Sequence, residues 1–68
     1  MTGSDLANAI VVYTTIRDAI VKLESDGIIN ETKRATLVRG ALRLVANTFH
    51  MTAYMFVNRL DKHNIASR

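Results

Sequence analysis

The sequence predicts an all-α fold, a single small domain of helices, and three observations carry that prediction. The 68 residues include no proline, so no position is closed to a helix on that ground. The β-branched residues fall within a 3.6-residue apolar period rather than a two-residue one. Apolar residues make up 49% of the chain and charged residues 22%, a balance that buries a core instead of staying disordered.

The first helix is expected to start with Ser4 as its N-cap and Asp5 in its first turn, facing the positive end of the helix dipole. It runs to about Ser25, where Ser25-Asp26-Gly27 stops it and Gly27 can take the left-handed C-cap position. Within it, Leu6, Ala9, Tyr13, Ile16, Ile20 and Leu23 follow 3-4-3-4-3 spacing, the a/d spacing of a heptad. Ile10, Val12, Ala19 and Val21 widen the apolar surface well beyond that stripe. A helix apolar over so much of its circumference is buried from more than one side.

A chain this short buries only about 60% of its unfolded surface, so its core needs support. It contains no cysteine, and His50 and His63 lack the spacing of a zinc site. Self-association remains, and it predicts a homodimer, intertwined or side by side, formed through residues 4–25. Leu6, Tyr13, Ile16, Ile20 and Leu23 are the expected dimer contacts. The alternative is that this stripe packs against the other helices of the same chain.

Ile28 and Ile29 are expected to anchor the connection that follows. Asn30 caps a second helix, with Glu31 and Thr32 in its first turn. Its apolar positions are Ala35, Leu37, Val38, Ala41, Leu42, Val45 and Ala46. Gly40 falls in their midst, where it costs a continuous helix about 1 kcal/mol against alanine. Either it permits close packing or the helix breaks there. Thr52 then caps a last helix over about Ala53–His63, Asn64 takes the left-handed position that ends it, and Ala66–Arg68 fray.

The residues from 31 to 65 resemble the Fis-type helix-turn-helix, found in a bacterial nucleoid protein and at the C-terminus of enhancer-binding activators. Gly40 falls on that family's turn glycine and Val45-Ala46 on its paired alanines. His50 falls on the glycine between the helices, Met51 on the isoleucine after it, and Thr52 on the Ser/Asn cap. Phe56 and Leu60 fall on the two leucines, and His63-Asn64-Ile65 on the closing Tyr-Gly-Ile. No gap is needed over 35 residues. The resemblance favours a break at Gly40 and implies that the last helix enters the major groove of DNA.

Carried over position by position, the resemblance makes Thr52 and Asn58 the base-edge candidates, with Tyr54 against a thymine methyl or a sugar. Arg59 and Lys62 would hold flanking phosphates, and Arg39 and Arg43 the backbone beside them. The sequence departs from the family at Ala53, where the family has arginine, and at Val57 and Asn58, where it is basic. Asp61 adds an acid.

Charge is unevenly placed. Residues 1–31 hold two basic and five acidic side chains, and residues 32–68 hold seven basic and one acidic. A basic C-terminal half suits contact with a polyanion such as double-stranded DNA. The basic residues that would grip it lie partly upstream of the last helix, at Lys33, Arg34, Arg39 and Arg43. A second function class comes from Tyr54, Met55, Phe56 and Val57, which cannot all face inward at about 100° per residue. The apolar surface left outside would bind a protein partner.

Enzymatic function is not expected, because there is no cysteine nucleophile, metal-ligand cluster or phosphate-cradling loop. No catalytic residue, metal or cofactor is assigned. No apolar run is longer than Ala9–Tyr13, far too short to span a membrane, and an acid stands where a secretion signal is basic. A cytoplasmic protein is expected.

Overall fold

The computed structural model describes residues 3–67. These form three helices, α1 (Gly3–Ser25), α2 (Glu31–Thr48) and α3 (Ala53–Lys62), with no strand among the described residues. A short link folds α2 back along α1, and α3 packs beside them to complete an all-α domain of 38 × 19 × 16 Å. The longest dimension is close to the length of α1 itself, about 1.5 Å for each of its residues.

All three helices end in the same way. In each, a left-handed residue donates its N–H to the carbonyl three residues back, and the next residue donates to the carbonyl five back. Gly27 (φ 77°) bonds Glu24 and Ile28 bonds Leu23, at 3.0 and 2.9 Å. His50 (φ 59°) bonds Asn47 and Met51 bonds Ala46, at 3.1 and 2.9 Å. Asn64 (φ 57°) bonds Asp61 and Ile65 bonds Leu60, again at 3.1 and 2.9 Å. Met51 is buried after its turn and Ile65 packs against the core. Ile28 stays 67% exposed, so Ile29 alone anchors the first connection.

The helix starts are set by side chains. Asn30 Oδ1 accepts from the Lys33 amide at 2.8 Å, and Thr52 Oγ1 accepts from the Met55 amide at 3.1 Å. α1 begins at Gly3, so Ser4 lies inside its first turn and is not the cap. The polar opening Gly3-Ser4-Asp5 contains no proline, and α1 includes all three residues.

α2 is continuous through Gly40, and the break expected there does not occur. Val38, Ala41, Leu42 and Val45 hold both sides of the glycine against the core. That burial outweighs the roughly 1 kcal/mol cost of one helical glycine.

The core joins all three helices. Tyr13 of α1 meets Phe56 of α3 edge-on, ring centroids 5.6 Å apart and planes at 85°, a geometry worth about 1 kcal/mol beyond burial. Val38, Val45 and Ala46 of α2 and Leu60 of α3 fill the space around this pair. Ala46 is fully buried where α2 turns toward α3, and a larger side chain there would push the helices apart.

The stripe read as a dimer seam is largely this intramolecular core. Tyr13 and Ile20 are buried within the chain and Ile16 packs against the same core, because α2 and α3 together supply enough apolar partners. Leu6 lines a shallow groove beside His63, and Leu23, 37% exposed, lies outside the core. Of the tail expected to fray, Ala66 and Ser67 lie against the domain, and Arg68 lies outside the described residues. The Tyr13 hydroxyl donates to the Ala66 carbonyl at 2.8 Å and ties the chain end across α1.

Candidate nucleic-acid interface

The corner between α2 and α3 is where the sequence places its candidate contacts. Its shape comes from three adjacent features: left-handed His50, buried Met51 and the capping hydroxyl of Thr52. His50 reverses the chain, Met51 fastens the reversal to the core, and Thr52 starts α3 in its new direction. Phe56 and Leu60, four residues apart, then bury one side of α3 completely.

Burying that side fixes what α3 presents outward. Tyr54, Asn58 and Lys62 recur every fourth residue on the exposed surface, with Asp61 beside Lys62. Tyr54 is 77% exposed and Met55 42%, while Phe56 is buried and Val57 packs against the core. The Tyr54–Val57 cluster thus divides evenly, two side chains out and two in. Arg59 is half-buried on the flank of α3.

On α2, Arg39, Arg43 and Asn47 form an exposed line at the same four-residue interval, running toward the turn. Among the described residues, Arg39, Arg43, Arg59 and Lys62 take part in no ion pair. Asp61 stands next to Lys62 in the chain, whereas Arg39 and Arg43 have no acid three or four residues away on α2. Asn47 extends the line and was not among the sequence candidates, although its position four residues beyond Arg43 would have identified it.

Arg34 leaves the candidate group. Its Nε lies 3.0 Å from Glu24 Oε1 and a second nitrogen lies 3.8 Å from Glu31 Oε1, with its side chain mostly buried. It fastens the start of α2 to the end of α1, a structural role the charge pattern alone could not show. Lys33 is exposed six residues before Arg39, nearly two turns upstream and about a third of a turn off the Arg39 line.

Thr52 serves two ends at once. Its oxygen is committed to the Met55 amide, while its hydroxyl proton remains able to donate outward from an exposed position. Among the described residues no group of three or more His, Cys, Asp or Glu side chains could hold a metal ion, and no helix is long and apolar enough to cross a membrane. Comparison of the chain with protein-family models, with curated proteins and with solved structures finds no match.

Proposed function

We propose that the chain is a dimeric DNA-binding protein, a transcriptional regulator or DNA-architectural factor acting in the cytoplasm on the nucleoid. In this reading α2 and α3 form a helix-turn-helix and α3 enters the major groove. The observation that carries it is the α2–α3 corner. A left-handed His50 and a Thr52 cap hold α3 with Tyr54, Asn58 and Lys62 outward, beside the Arg39–Arg43 line, which makes no ion pair among the described residues. The resemblance to the Fis-type family over residues 31–65 supports the same reading.

Thr52 and Asn58 supply hydrogen-bonding groups for base edges, and Tyr54 offers a flat apolar face to a thymine methyl or a sugar. Lys62 and Arg59 hold phosphate on one side of α3, and Arg39 and Arg43 hold it from α2. With so few cations on α3 itself, much of the affinity falls to α2.

Fluorescence anisotropy with a labelled generic duplex at several salt concentrations tests this. Binding should be micromolar or tighter at low salt and weaken steeply as salt rises. Arg43→Ala and Arg59→Ala should each make the log–log salt slope shallower by about 1. No binding at low salt rejects the reading. A second reading would then take its place, in which Tyr54 and Met55, both largely exposed on the first turn of α3, bind a protein partner.

A further inference from the structure

α1 packs mainly against α2, and α3 also leans on α2 rather than on α1. At its far end α3 stands off from α1. A groove of about 340 Å³, lined by Leu6, Ala7 and Ile10 of α1, opens there beside His63. The segment that follows the helix supplies the missing attachment. Asn64, in its left-handed conformation, turns the chain, and Ile65 packs against the core. The Ala66 carbonyl then accepts from the Tyr13 hydroxyl at 2.8 Å, and Ser67 reaches Ala35 and Arg39 on α2.

Tyr13 is the point on α1 where both attachments of α3 converge. Its ring meets Phe56, in the first half of α3, edge-on. Its hydroxyl holds Ala66, four residues beyond the end of the helix. We propose that Tyr13 is a positioning residue for α3 and that Asn64–Ser67 form a clasp, the two together fixing the angle of α3 against the Arg39–Arg43 line. When the Tyr13–Ala66 bond opens, the Asn58–Lys62 half of α3 comes away as a unit. The α1–α2 hairpin stays formed, because Arg34 bonds Glu24 at 3.0 Å and Val38, Ala41 and Leu42 remain buried. The corner stays formed through buried Met51 and the Thr52 cap. Opening exposes Leu60, which is fully buried in the closed state, so the open state is a minor one.

The clasp acts at a distance from the surface it serves. Asn58 and Lys62 are exposed on the half of α3 that it holds, whereas Tyr13 is buried and reaches no ligand itself. A recognition surface works only if supporting residues keep its side chains in fixed relation. The consequence for DNA rests on the proposed function; the clasp itself does not.

Two measurements on the native chain and Tyr13→Phe test this, the variant keeping the ring contact with Phe56 and losing only the hydroxyl. The first is native-state amide hydrogen exchange. In the native chain, Asn58–Lys62 amides should exchange through an opening that leaves Val38 and Val45 protected. Tyr13→Phe should speed their exchange by about fivefold, the effect of losing one hydrogen bond on an opening equilibrium. Ile65→Ala, which frees the tail by another route, should speed the same amides. Equal protection of all three helices overturns the clasp, and so does α3 exchange that Tyr13→Phe leaves unchanged.

The second is affinity for the generic duplex at a temperature where both chains are folded. Tyr13→Phe should weaken binding several-fold while the log–log salt slope stays the same, because no phosphate contact is lost. A role confined to stability leaves that affinity unchanged, and this result overturns the positioning role. If the native chain binds no duplex, the DNA reading fails, and hydrogen exchange alone decides whether the clasp holds α3.

Discussion

At the scale of single residues, the fold depends on a few side chains in uncommon positions. His50 adopts a left-handed conformation that costs an ordinary residue about 1–2 kcal/mol, and it does so to let Met51 reach the core. His50→Gly removes that cost, and chemical denaturation should show a gain of roughly 1 kcal/mol with the corner unchanged. Tyr13 is the second such residue. Burial raises its phenol pKa above the ordinary 10.0, with the nearby Arg17 charge lowering it by a smaller amount. The folded state therefore keeps this proton after the unfolded chain has lost it. Stability from this group is complete below about pH 10 and falls as pH rises toward the folded pKa. Tyr13→Phe should flatten that alkaline loss in thermal melts. It should also cost about 1 kcal/mol near neutrality, through the bond to the Ala66 carbonyl.

At the scale of elements, the helix signals written in the sequence were legible where they were local. Asn30 and Thr52 as caps, Gly27 and Asn64 as left-handed ends, and Phe56 with Leu60 as the buried side of α3 are all found in the structure. Each depends on chemistry within a few residues. Apart from the Ser4 cap, a local reading that the start of α1 at Gly3 overturns, what was illegible depended on distant packing. Continuity of α2 through Gly40 follows from core contacts on both sides of it, and the propensity of one residue cannot report them. The a/d spacing of α1 identified a buried stripe but not its partner, since an intramolecular and an intermolecular seam share one period. The tail went unread for the same reason, as its partner Tyr13 lies 53 residues away. Gly40→Ala tests this directly. It should raise the denaturation free energy by about 1 kcal/mol, because helix propensity improves and no atom is displaced.

At the scale of the whole molecule, a thin domain of 38 × 19 × 16 Å carries two exposed regions of different character. α3, the turn and the Arg39–Arg43 line form one exposed region that is polar and basic apart from Tyr54 and Met55. The flank bearing Leu37 and Leu44 forms another that is apolar. Sequence placed Arg39, Arg43, Thr52, Tyr54, Asn58 and Lys62 on the outside, where the structure has them. It could not show that Arg34 is occupied by Glu24 or that Arg59 is half withdrawn, since both depend on neighbours brought together by folding.

The most direct test of DNA recognition by the α2–α3 corner is an amide chemical-shift map of the protein titrated with a short duplex at low salt. Recognition by this corner predicts the largest shifts within residues 52–62, with a second group at Arg39–Asn47 and little change at Val12, Ala19 or Leu37. Absence of shifts, or shifts confined to the Val12–Leu37 flank, would contradict it.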